Sequence, residues 1–144
     1  MKSFQVKAFT KGKPHFIDAT YVDGHILEVQ LAKAFKVMRE AANADGVDLV
    51  ITSGFRTMEQ QTKLFEARKD PKASASLGTA AAPGFSRHQN GKAIDVRTGI
   101  SKPGFIAGKS SPVWEWIKTN APLYGFEILR VLDEPWHLEF EPRT

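Results

Sequence analysis

The stretch from His25 to about Ala44 most constrains what this chain can fold into. Its apolar residues Leu27, Leu31, Phe35 and Met38 recur every three or four positions, the spacing of one face of an amphipathic helix. A helix with one apolar face needs something flat to cover it, and the flanking segments are read as strands. Before it, Phe4, Val6 and Ala8 and then Phe16 to Val22 alternate with polar residues around Lys11-Gly12-Lys13-Pro14, which predicts a hairpin or two short strands. Asp23-Gly24 closes them, and Asp23 is placed to cap the helix. After it, Val47 to Thr52 forms a β-branched run expected of a buried strand.

Further along, Thr57 and Gln60 stand three apart as a capping box, predicting a second helix that carries Leu64 and Phe65 inward and ends near Lys69-Asp70-Pro71. Residues 70 to 85 hold Ala, Ser, Gly and Pro with almost no large apolar side chain and read as a loop. Another loop runs to Ser110. Ser111-Pro112 supplies a cap and first helical residue for a third helix through Asn120, with Val113, Trp114 and Ile117 inward. Phe126 to Leu132 and Trp136 to Phe140 are the expected closing strands. At 144 residues the chain suits a single domain, 1–144, since one core serves ~100 to 150 residues. The fold class is α+β, a small antiparallel sheet with flanking helices.

Composition narrows the chemistry. With no cysteine among its residues, the chain can use neither disulfides nor thiolates, so a metal site must be built from His, Asp, Glu or water. No run approaches the ~20 apolar residues of a membrane-spanning helix. A net charge of +4 would suit a polyanionic partner, nucleic acid, a membrane surface or an anionic cell wall, but the excess is modest and dispersed and reads first as a solvated basic surface; with no basic cluster interleaved with aromatics, nucleic acid is the weakest of the three.

The densest motif is Ser86-Arg87-His88-Gln89-Asn90-Gly91-Lys92-Ala93-Ile94-Asp95. Asn-Gly is a strong hairpin signal. A two-residue turn there would pair His88 with Ala93 and place Asp95 opposite Ser86, with His88 and Asp95 as diagonal neighbours roughly 7 to 8 Å apart at the backbone. Alone, the pair could simply be hydrogen-bonded on a solvent-facing hairpin. The segment Asp133-Glu134-Pro135-Trp136-His137 adds a third ligand candidate and a spare carboxylate. Three ligands, an open position and a nearby base make the set a catalytic zinc requires. Pro135 rules out a regular helix, and positions three apart in a strand face opposite ways. Glu134 must therefore lie in the loop before the strand if it is to face the metal that His137 binds.

The pattern Ser86-x-His88-x-x-Gly91-x-Ala93-x-Asp95 followed by Glu134-x-Trp136-His137 resembles the D-alanyl-D-alanine carboxypeptidase group of LAS-type zinc peptidases (lysostaphin, carboxypeptidase, sonic hedgehog), especially VanY-like carboxypeptidases and phage endolysin peptidases. Ser53-Gly54-Phe55-Arg56 is similar to that family's Ser-Gly-Tyr-Arg segment, with Phe55 in place of Tyr. The resemblance implies a hedgehog-like α+β fold and one Zn2+ per chain on His88, Asp95 and His137. It makes Glu134 the catalytic base and Arg56 a transition-state residue, with Arg56, Ser86 and Gln60 contacting substrate. It further implies action on peptidoglycan stem peptides, as a D-Ala-D-Ala carboxypeptidase or an L-alanyl-D-glutamate endopeptidase; separately, a monomer is expected. For an endopeptidase, residues 71 to 85 should border an open groove.

The opening Met1-Lys2-Ser3-Phe4-Gln5-Val6-Lys7 has no apolar leader-like run. This gives the expectation of a lysin held in the host cytoplasm until lysis and then acting in the periplasm or wall; a chain trimmed of its signal would read the same and be exported. The rival from another class is a non-catalytic, zinc-containing wall-binding module, against which Glu134 argues.

Overall fold

A computed structural model describes residues 2–77 and 80–142 of the chain. Strands β1 (Phe4–Thr10) and β2 (Lys13–Val22) form the expected hairpin, turned by Lys11 and Gly12 at φ 51° and 79°, positive values suited to a two-residue turn between twisted strands. Asp23 and Gly24 repeat this device at φ 52° and 81°. A left-handed Asp23 returns the chain alongside β2, so His25–Glu28 is a third strand, β3, and not the expected first turn of the helix; it pairs Leu27 with Thr20. The helix α1 therefore begins later, at Val29–Ala44, and its cap is Glu28 in place of Asp23. The Glu28 carboxylate accepts from the Gln30 and Leu31 amides at 2.8 and 3.1 Å. Asp23 instead pairs with Arg39.

Helix α1 buries Leu31, Ala32, Phe35, Met38 and Ala42. Of the expected strand 47–52, only its end pairs, as β4 (Ile51–Ser53); Leu49 is nonetheless buried. Helix α2 (Met58–Ala67) opens on Thr57 with both capping-box hydrogen bonds formed. Its most buried side chain is Gln61, whereas Leu64 and Phe65 are only half-buried. The loop expected over 70–85 holds a short helix, α3 (Pro71–Leu77). Its start is locally encoded, because the Asp70 side chain accepts from Lys72 N at 3.0 Å and Pro71 occupies the first helical position, where its missing N–H costs nothing.

Helix α4 (Pro112–Asn120) is capped by Ser111, which accepts from Trp114 N at 3.0 Å. Trp116 joins Trp114 and Ile117 on its buried face and donates its indole N–H to Asp45 at 2.8 Å. The remaining strands, β5 (Ala93–Val96), β6 (Phe126–Glu127) and β7 (His137–Phe140), form an antiparallel sheet with β4 in the order β4-β5-β7-β6, separate from the β1-β2-β3 sheet. Two sheets thus stand where one was expected. The first closing strand is shortened because Arg130–Leu132 turns into a 3-10 helix. The two sheets and α1 and α4 share one core of Leu27, Leu31, Phe35, Ile94, Ile117, Phe126 and Leu138. Among the described residues, no helix is long and apolar enough to cross a membrane.

Candidate metal centre and active site

The sheet itself places two of the predicted ligands. Asp95 on β5 and His137 on β7 are direct cross-strand partners, and every residue of both strands is buried. His88 arrives differently from the expected hairpin. Ala93 pairs with Glu139 rather than with His88, and only Gly91 of the Asn90-Gly91 pair has positive φ, at 80°, so the two-residue turn that needs both does not form. Residues 86–92 instead wind through tight turns, with Gln89 N donating to Ser86 O at 3.0 Å and Lys92 N to Arg87 O at 2.9 Å. The sequence pattern placed His88 near Asp95 correctly, but through a loop packed on the sheet and not through a shared hairpin.

The ligand atoms of His88, Asp95 and His137 lie within 4.8 Å of one another, and this is the His/Cys/Asp/Glu group able to hold a metal ion among the described residues. Asp95 Oδ1 is 3.2 Å from His88 Nε2 and 3.1 Å from His137 Nδ1. The two outer nitrogens are also held. His88 Nδ1 lies 2.9 Å from Gly54 O, and His137 Nε2 lies 2.9 Å from Glu139 Oε2. A carbonyl can only accept, so His88 Nδ1 carries the proton and leaves the Nε2 lone pair facing inward; Glu139 orients His137 in the same sense. Outer-nitrogen hydrogen bonds to a carbonyl and a carboxylate are how histidines are prepared to ligate. Two neutral imidazoles and one carboxylate at an open cavity fit zinc.

Without metal the cluster holds a proton. Burial would lower the His137 pKa, but hydrogen bonds to Asp95 and Glu139, with their charges, overcome it and push it up to about 9. Burial would likewise raise Asp95, yet the His88 and His137 rings packed against it hold it well below the usual carboxylate range. The His137 contribution to stability is complete below its unfolded value of 6.5 and is lost as pH rises through about 9. That of Asp95 is present above 3.8 and lost as pH falls below it. A zinc ion entering this cluster would have to displace the His137 proton, so apparent zinc affinity is expected to rise about tenfold per pH unit from 6.5 toward 9. Chelator competition over that range checks this; a flat profile would remove His137 from the ligand set.

The cluster opens on a cavity of about 460 Å³ that Arg56, Gln61, Ser86 and Glu134 also line. Glu134 sits in the loop before β7, the position expected from Pro135, and its carbonyl accepts from His137 N at 3.1 Å. Burial pushes its carboxyl pKa up, with Asp95 adding to the rise and His137, Arg68 and Arg56 opposing it. Arg56 donates from Nη2 to Asp95 Oδ2 and from Nη1 to Gln61 Oε1, both at 3.4 Å, and Gln61 is itself anchored by donating to Ala81 O at 2.8 Å. Ser86 lines the cavity while its Oγ accepts from His88 N at 3.1 Å. Gln60 does not come to the cavity: it is exposed, its Oε1 accepting from Thr57 N in the capping box, and the neighbouring Gln61 takes the inward position.

Three members of the site were not singled out from sequence. Gln61 carries no local signal apart from adjoining the capping box. The Gly54 carbonyl is invisible to side-chain patterns. Glu139 had a signal, since it lies two residues beyond His137 and so on the same strand face; it also pairs with Arg87 at 3.3 Å.

Residues 24–143 match the family model described as VanY: D-alanyl-D-alanine carboxypeptidase. The chain belongs to the VanY family. A D-alanyl-D-alanine carboxypeptidase of Enterococcus faecalis is 29% identical over 138 residues, 82% of this chain and 49% of that enzyme. The chain thus spans about half the length of that relative. The peptidoglycan L-alanyl-D-glutamate endopeptidase CwlK of Bacillus subtilis is 35% identical over 132 residues, covering 83% of this chain and 75% of CwlK. Among solved structures, the vancomycin-resistance D,D-pentapeptidase VanY of the VanB-type cassette, in complex with Zn(II), superposes with a TM-score of 0.65 at 25% identity, covering 86% of this chain and 78% of its own. The α+β fold and the family resemblance carried by Ser86–Asp95 and Glu134–His137 both agree with these matches.

Proposed function

We propose that this VanY-family chain is a zinc peptidase of bacterial peptidoglycan, hydrolysing a bond in the stem peptide. The observation that carries the reading is the convergence of His88, Asp95 and His137 on one buried point at the wall of a cavity that also receives Glu134 and Arg56. The three converging residues would hold one zinc ion. A bound zinc supplies Lewis acidity, polarising a carbonyl and making water acidic enough to lose a proton near neutral pH.

The protein's own groups complete the chemistry. Glu134, its pKa raised by burial, takes a proton from the attacking water and delivers it to the departing amine, a role worth roughly 10²–10⁴ in rate. Arg56, held by Asp95 and Gln61, faces the cavity and offers its guanidinium to the oxyanion that develops on the carbonyl. A wall-binding module has no use for a carboxylate in Glu134's position, which sets that reading below the enzyme.

Arg56→Lys keeps a charge but removes the planar fork that can bond Asp95, Gln61 and an oxyanion together. Activity is expected to fall by about 100-fold, the scale of one lost oxyanion donor, with little change in melting temperature. Normal kinetics with a large fall in melting temperature would make Arg56 a structural ion pair.

Between the two bonds, we favour the endopeptidase reading and, with it, action as a lysin at the wall. Ala80, Ala81 and Phe85 line the cavity, so the described end of the 71–85 segment borders the groove, and the endopeptidase relative is 35% identical to this chain. Residues 78 and 79 of that segment lie outside the described residues. Mass spectrometry of digested muropeptides decides the bond: a new free amine on D-Glu with loss of sacculus turbidity is expected, whereas free D-Ala with turbidity unchanged would retain the zinc peptidase and reject the endopeptidase.

A further inference from the structure

The loop that carries His88 forms no strand and no helix between Gly84 and Lys92, so its position has to be imposed by what it touches. One side is held by the active-site segment itself, where Arg56 N donates to His88 O at 3.0 Å and Gly54 O meets the His88 ring. The other side is held by the β1–β2 hairpin, which precedes the segment matching the family model. Phe9 N donates to Gln89 O at 3.0 Å, and Gly12 N at the hairpin turn donates to Gly84 O at 2.9 Å.

The hairpin and the loop approach each other closely. A Cβ on Gly84 would sit 3.0 Å from Gly12 Cα, and a Cβ on Gly91 would sit 2.6 Å from the Ile17 Cδ1 atom of β2. Gln89 ties the start of the loop to its middle from inside. It is fully buried, its Oε1 accepts from Gly84 N at 2.6 Å and its own N–H donates to Ser86 O at 3.0 Å. Nothing in the chemistry proposed above uses Gln89, although a buried amide is costly unless its hydrogen bonds are made.

We propose that Gln89 and the β1–β2 hairpin, through Phe9, Gly12 and Ile17, are positioning elements that fix the His88 loop for metal binding. The proposal rests on the reading of His88 as a ligand. In this arrangement the hairpin is a buttress of the metal centre, and the loop's place is set by contacts from residues some 70 positions away in the chain, a separation read directly from the numbering. Groups that orient a ligand typically change metal affinity 10- to 100-fold when removed.

The test compares zinc affinity, by chelator competition, in the full chain carrying Gln89→Leu or Ile17→Ala with that of Ile117→Ala, a core substitution in α4. All three are expected to lower the melting temperature of the metal-free protein, but only the first two should weaken zinc, by about tenfold or more. Parent-like zinc affinity in both Gln89→Leu and Ile17→Ala, with lowered melting temperature, would overturn the proposal and leave the peptidase reading standing. His88→Ala is measured alongside: undiminished affinity there would overturn the ligand assignment itself, and a loss would keep the two failures distinct.

Discussion

Exchanging Glu134 for Gln is expected to leave one zinc per chain while turnover falls by about 100-fold or more, the scale of general-base catalysis. Glu134 lines the cavity beside the ligand cluster without belonging to it, so the amide removes the base and spares the ligands. The backbone contact from His137 N to Glu134 O does not involve the side chain, and the loop should hold its shape. Zinc content by elemental analysis and steady-state rates on purified muropeptides check the two halves separately. A variant with near-normal turnover would pass the role of base to another group.

The second large effect belongs to His137. His137→Ala is expected to abolish both zinc binding and activity, because Asp95 and His88 alone leave the set one ligand short of the three that catalytic zinc sites use. It also strips Asp95 and Glu139, both buried, of the hydrogen-bond donor they share. Asp95 keeps Arg56 and Glu139 keeps Arg87, but each buried carboxylate loses a charged hydrogen bond, so the melting temperature of the metal-free variant should fall below that of the parent at pH 6, where His137 is protonated. Full zinc occupancy in this variant would sink the assignment.

Local signals were legible in the sequence and non-local ones were not. Thr57 with Gln60 and Ser111 with Pro112 encode helix starts within four residues, and both starts occur where the sequence put them. Asp70-Pro71 is an equally local start that the small-residue composition of the segment obscured. The Leu27 and Leu31 spacing matched a helix although the first is on a strand, because a turn with two left-handed residues outranks a periodicity of one step. Asn90-Gly91 failed for the opposite reason: Ala93–Val96 finds its partners in β4 and β7, far away in the chain, and a local turn signal cannot reveal that competition. The clustering of His88, Asp95 and His137 was recoverable because they are side chains in a pattern. The Gly54 carbonyl and the Gln89 amide act through backbone contacts and buried geometry that no spacing encodes.

The direct pairing of Asp95 with His137 bears on how the molecule comes to exist. These residues meet only when β5 and β7 zip together across a loop of some forty residues, as their numbers show, so closing that loop is an entropic barrier which sheet formation must cross before any ion has a site. Once closed, the carboxylate and imidazole already satisfy each other. A metal ion held there would therefore be a late arrival to a finished chain, unlike the ion of a zinc finger, whose binding is its folding; refolding should run at the same rate in chelator as in zinc.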